Sequence, residues 1–224
     1  MEKPTNKIEV CVANVASAVA AQRGGALRIE LCDNLMEGGT TPSYGMIKRV
    51  RELLKIDVHV MIRPRGGDFH YSDDEFGIML ENIKICRELG ADGVVLGFLK
   101  LDGTVNISKT KQLVEYAWPM SVTFHRAFDL TSDPLAAMEE IIDCGIDRIL
   151  TSGHRNKAIE GATLIRKLVE KAKERIIIMP GSGINENNIL ELKDQTGAFE
   201  FHLTGRTTID SPMLFHEKES QMGY

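Results

Sequence analysis

Thr123-Phe124-His125-Arg126-Ala127-Phe128-Asp129 begins as a strand and ends in polar and charged groups. Successive strand residues point to opposite faces, so Thr123 and His125 share one face and Phe124 takes the other. The apolar face needs a packed layer behind it. The polar face puts an imidazole where the strand leaves its sheet, a common place for chemistry. A strand that only fills a core would not end this way. The fold therefore depends on whether other segments repeat the pattern.

They do. Short β-branched runs at 7–13, 27–31, 58–62, 93–96, 120–124, 148–150, 175–179 and 199–203 alternate with longer amphipathic segments. Helix signals mark those segments. Gly24-Gly25 ends the first, Ser43 caps the second, and Ser72 or Asp73 starts a long third running to about Leu89. Ser108 is the expected cap of the fourth, and Asp133-Pro134 opens the fifth with proline at its first position. Residues 161–173 and 185–195 also read as helical. About eight β/α units without an internal linker predict a parallel sheet closed into a (β/α)8 TIM-type barrel of one α/β domain. That domain covers 1–206. The tail, 207–224, has no strong pattern and is expected to be partly mobile.

The alternation then sorts the strand residues. Ile8, Val10, Ile29, Leu31, Val58, Val60, Val122, Phe124, Phe199 and Phe201 face the helices. Glu9, Cys11, Arg28, Glu30, Cys32, His59, Met61, Arg63, Thr123, His125, Glu200 and His202 face inward. Barrel interiors are mostly Val, Ile and Leu, and an unpaired buried charge costs several kcal/mol. Two accounts fit so polar an interior. One is an internal ion-pair network, with Arg28 and Arg63 against the glutamates. The other is a ligand-binding or catalytic site at the C-terminal mouth.

Within that second account, His125 is the candidate acid/base group, with Glu9, Glu30 or Glu200 as its partner. His59 and His202 complete the imidazole set, and Arg63 is a candidate anion clamp. Gly181-Ser182-Gly183, after strand seven and ahead of a helix, has the place of a phosphate cradle, shared with Thr204-Gly205-Arg206. Thr151 and Ser152 could offer hydroxyls to the same anion. Cys11 and Cys32 face inward on adjacent strands about 4.8 Å apart. Two close thiolates are soft ligands that favour Cu(I), and two small buried hydrophobes are the plainer alternative. Met61 reads as a core filler.

Bulk properties narrow the partners. The chain has 224 residues, 43% hydrophobic, with a net charge of −5. No basic face is implied, so nucleic acid is not an expected partner. No apolar run approaches the roughly 20 residues of a membrane span, and the N-terminal stretch lacks a signal-peptide core. A cytoplasmic protein with four free cysteines is expected.

The segments EVCV, GGALRIELCDNLMEGGTTPSYG, VHVMIRPRGGDFHYSDDEF, GADGVVLG, TFHRAFD, RILTSG, IMPGSGIN and EFH, from Glu9 to His202, resemble the CutC family. The resemblance implies a (β/α)8-type barrel, a cytosolic homo-oligomer and a part in copper homeostasis, with Cys11 and Cys32 as candidate Cu(I) ligands. The residues themselves also suit an enzyme of isomerase or lyase type acting on a small phosphorylated or carboxylated substrate, or a non-catalytic small-molecule sensor.

Overall fold

Asn14, Ser43, Ser72 and Asp133 each accept a hydrogen bond from a backbone N–H in the first turn of the helix that follows. At Ser72 the cap is reciprocal, because Glu75 reaches back to the Ser72 N–H at 2.7 Å. The computed structural model describes residues 6–215. In chain order it runs β1 (Lys7–Val12), α1 (Val15–Arg23), β2 (Arg28–Leu31), α2 (Tyr44–Leu53), β3 (Asp57–Met61), α3 (Asp73–Glu88), β4 (Gly93–Leu96) and α4 (Ile107–Ala117). It continues with β5 (Ser121–Phe124), α5 (Pro134–Asp143), β6 (Arg148–Thr151), α6 (Ala162–Ala172), β7 (Ile177–Pro180), α7 (Ile189–Thr196) and β8 (Glu200–Leu203). Short 3-10 turns at Leu35–Glu37 and Arg126–Leu130 lie above β2 and β5.

All eight strands are parallel, in the order β7-β6-β5-β4-β3-β2-β1-β8. The barrel closes between β7 and β8 through the bridge of Gly181 to His202, at its C-terminal end. Helices shield the strands on the outside. Ile29, Leu31, Val58, Val60, Val94, Leu96 and Phe124 are buried in the layer between strands and helices. The expected (β/α)8 barrel is thus present, with one difference: seven α-helices form among the described residues. Thr204 to Phe215 carry no helix and are exposed, so Ile8, Val10 and Leu203 are only partly covered. The rest of the tail, 216–224, lies outside the described residues.

Two local expectations change. Asn106, not Ser108, caps α4, its side chain accepting from Lys109 N at 3.2 Å. The last helix starts at Ile189 rather than Asn185. The Asn185 and Asn188 side chains accept from the N–H groups of Asn187 and Asn185, both at 2.9 Å. Such local bonds hold a turn in place of a helical one.

The interior is tight where histidines enter it. A Cβ on Gly93 would lie 2.5 Å from the His59 ring. Gly93→Ala is therefore expected to cost about 1–3 kcal/mol by overpacking, read from urea unfolding. Wild-type stability in that variant would mean that the ring moves freely.

Candidate functional site

The inward residues form two tiers. In the lower tier Arg28 donates through Nε to Glu9 and through Nη2 to Glu200 at 2.7 Å, and Arg148 Nε reaches Glu200 at 3.2 Å. Glu9, Arg28, His59, Arg148 and Glu200 are all buried. His59 does not line the cavity above; its Nδ1 has no partner within the described residues. Arg148 was not singled out from the sequence, although the same alternation on β6 would have turned it inward with Leu150.

Burial of the charged form is the largest influence on Glu9. The hydrogen bond from His202 and the Arg28 charge outweigh it and hold this carboxyl well below the usual range. For His59, burial dominates, with Arg28 and Arg148 adding to it, and its pKa is pushed down to about 3.

In the upper tier, His202 donates from Nδ1 to Glu9 Oε1 at 2.7 Å, and its Nε2 is 3.8 Å from Glu30 Oε2. The sulfurs of Cys11 and Cys32 are 3.8 Å apart, and the Cys32 thiol lies 3.3 Å from Glu30 Oε2. Burial alone would lower the His202 pKa, but the carboxylates of Glu30 and Glu9 and the Cys11 sulfur raise it well above 6.5. The hydrogen bond with Cys32, helped by His202 against burial, lowers Cys11 to about 5. Cys32 and Glu30 move upward, Cys32 chiefly through its bond with Cys11, Glu30 chiefly through burial. Within the pair, the downward shift falls on Cys11 and the upward shift on Cys32. Met61 packs with both cysteines, beside Val95 and Leu35. Its thioether makes a third sulfur in this cluster, which its reading as a core filler missed.

Above these groups is a cavity of about 250 Å³. Cys11, Glu30, Met61, Arg63, His125, Leu150 and His202 line its base and wall, and Ser182, Gly183, Thr204 and Arg206 its rim. His125 follows β5, and its ring packs on Phe69 with centroids 4.8 Å apart. Its Nδ1 accepts from Ala127 N at 3.2 Å, so the proton sits on Nε2, which has no partner among the described residues. Burial, and secondarily the Arg63 charge, push its pKa down to about 3.

Arg63 does not join the glutamates. Its Nη1 donates to the carbonyls of Glu37 (2.7 Å) and Gly39 (2.8 Å) and its Nη2 to that of Gly67 (2.7 Å), which ties two loops together. Thr151 and Ser152 are directed elsewhere. Both hydroxyls donate to Asp129, and Arg126 in turn binds Asp129 at 2.8 Å and Ser152 at 2.7 Å. This cluster ties the turn after β5 to the end of β6. Ser182 and Gly183 adopt left-handed backbone angles, φ 81° and 70°. Ser182 Oγ donates to the Asn156 carbonyl at 2.7 Å. The structure thus brings Cys11, Cys32, Glu9, Glu30 and His202 together on one side of the mouth. His125 and Arg63 form another wall, and the glycine turn forms the rim.

The two low-pKa histidines set a pH window. His59 and His125 are neutral in the fold and gain protons in the unfolded chain below about 6.5. Stability should fall by up to about 1.4 kcal/mol per pH unit for each as pH drops from 6.5 toward 3. His202 acts in the opposite sense: its contribution is full below 6.5 and is lost as pH rises through its elevated pKa. Urea unfolding at pH 6.5 and 5.5 tests the first effect, and His125→Gln should remove one histidine's share of the slope. An unchanged slope in that variant would mean that His125 titrates normally in the fold.

Taken together, the molecule is a (β/α)8-type barrel with thiol, imidazole and carboxylate groups gathered at its C-terminal mouth. The CutC family model matches residues 6–207, and the chain belongs to the CutC family. It is 49% identical over 216 residues to a family protein CutC of Chromobacterium violaceum, covering 96% of this chain and 87% of that one. It is also 49% identical to the human copper homeostasis protein cutC homolog, covering 96% of this chain and 79% of that one. The crystal structure of CutC from Streptococcus agalactiae superposes with a TM-score of 0.85 at 38% identity, covering 89% of this chain and 99% of that one.

Proposed function

We propose that this protein serves copper homeostasis by binding Cu(I) between Cys11 and Cys32. The observation that carries this reading is the pair of cavity-base sulfurs 3.8 Å apart, with Glu30 close enough to share an ion with both. The ion is cargo, so it must enter and leave. Cys11 lines the cavity and gives it a path. Thiolate is the binding form, and the downward shift on Cys11 favours it for half of the pair at neutral pH. Soft sulfur donors select Cu(I) over harder ions, and Met61 adds soft character. The name of the human relative points the same way. The cytosol suits this chemistry because it keeps both thiols reduced. Acid/base catalysis by His125 has less behind it, since a base with a pKa near 3 is poorly matched to proton transfer near pH 7. The test is competition for Cu(I) against a chelator of known affinity. One ion per chain, retained at chelator excess, is the expected result; no retention would reject the reading.

A further inference from the structure

Three polar features of the cavity take no part in the sulfur site. His125 is buried, and its Nε2–H has no acceptor among the described residues. Arg63 is buried and cationic, and among the described residues it bonds only to carbonyls and leaves Nε unpartnered. No ion pair with a carboxylate offsets its charge among the described residues. On the facing side, after β7 and β8, the rim holds the turn of Ser182 and Gly183 together with Arg206. The N–H groups of Gly183 and Ile184 have no backbone acceptor among the described residues. Gly183 also has to be glycine: at φ 70° an added Cβ would meet the Lys157 side chain at 3.0 Å. Gly183 is exposed, whereas His125 Nε2 and Arg63 Nε are buried; buried donors without acceptors are rare in folded proteins, and each calls for an account.

The charges elsewhere in the interior balance more nearly. Arg28 and Arg148 face Glu200, and Arg28 and His202 face Glu9. The excess positive charge is therefore at Arg63 and Arg206, on opposite sides of the cavity. The volume, about 250 Å³, is below the roughly 300–1,000 Å³ of pockets for drug-sized ligands, so the occupant is small.

We propose that this cavity binds a small organic phosphate by its two ends. The phosphate sits on the rim against the Gly183 turn and Arg206. An uncharged oxygen at the other end, a hydroxyl or carbonyl, accepts from His125 Nε2–H beside Arg63. Neutral His125 is suited to that role, because one fixed N–H donor selects an acceptor and rejects a cation. The site is separate from the two thiols, although both open into the same cavity.

Calorimetric titration of metal-free protein with glycerol 3-phosphate, inorganic phosphate and glycerol tests this. Glycerol 3-phosphate should bind best, inorganic phosphate more weakly, and glycerol not measurably. Arg206 is exposed and makes no side-chain hydrogen bond or ion pair among the described residues. Arg206→Ala should weaken both phosphates by about tenfold, the scale of one charge-assisted contact. His125→Leu, which removes the donor, should weaken glycerol 3-phosphate and leave inorganic phosphate unchanged. If that variant does not fold, the preference of the wild type for glycerol 3-phosphate over inorganic phosphate tests the inner contact by itself. Cys11→Ser with Cys32→Ser should bind glycerol 3-phosphate normally, which separates this site from the copper reading. No binding of either phosphate, equal affinity for the two, or affinity unchanged in Arg206→Ala would each overturn the proposal.

Discussion

Arg28→Met is expected to destabilise the barrel by about 3–5 kcal/mol, the cost of breaking a buried ion pair from one side. Arg28 holds Glu9 and Glu200 at once, and all three are almost fully buried. Its loss leaves Glu200 with Arg148 at 3.2 Å and Lys7 at 3.8 Å, and Glu9 with His202. Total stabilities are only about 5–15 kcal/mol, so the variant should unfold at a visibly lower urea midpoint with an unchanged slope. Combining it with Glu9→Gln should recover part of the loss, because one of the stranded charges is then gone. A loss below about 1 kcal/mol would mean that the carboxylates take up protons or that water reaches them. In that case stability would become more dependent on pH in the variant than in the wild type.

Cys11→Ser with Cys32→Ser is expected to abolish retention of Cu(I) against a chelator. Changes that only reorient a metal ligand cost about 10–100-fold in affinity, and removal of both soft donors should cost more. Each single variant should bind measurably but weakly, through the remaining sulfur and Met61. With Cys11 shifted down and Cys32 shifted up, filling the site near pH 7 should release the Cys32 proton. Affinity should therefore rise with pH through the neutral range and fall further below pH 5, where Cys11 also becomes protonated. Equal retention by the wild type and the double variant would place copper elsewhere. Two protons released would mean that Glu30 gives one up on joining the ion, or that Cys11 holds its proton beforehand.

The barrel and its inward residues were legible because side-chain direction in a strand has a period of two. Ile29 beside Arg28 and Glu30, or Phe124 beside Thr123 and His125, states which face meets helices without reference to any other part of the chain. The parallel order followed from helices between the runs, and the proximity of Cys11 and Cys32 from their places on adjacent strands. Partner choice was not legible, since it depends on where side chains from distant strands end in space. Arg63 was as plausible a mate for a glutamate as Arg28. In the fold it lies at the strand end, within reach of the Glu37, Gly39 and Gly67 carbonyls. Arg28 lies level with Asp57, six residues before Arg63, between Glu9 and Glu200. Thr151 and Ser152 turn to Asp129 for the same reason: the turn after β5 brings a carboxylate to them before any ligand could. Periodicity along one strand is a local property, fixed by backbone geometry. Pairing of charges and the tuning of protons at Cys11, His125 and His202 are sums over neighbours from several strands, and only closure of the barrel assembles them.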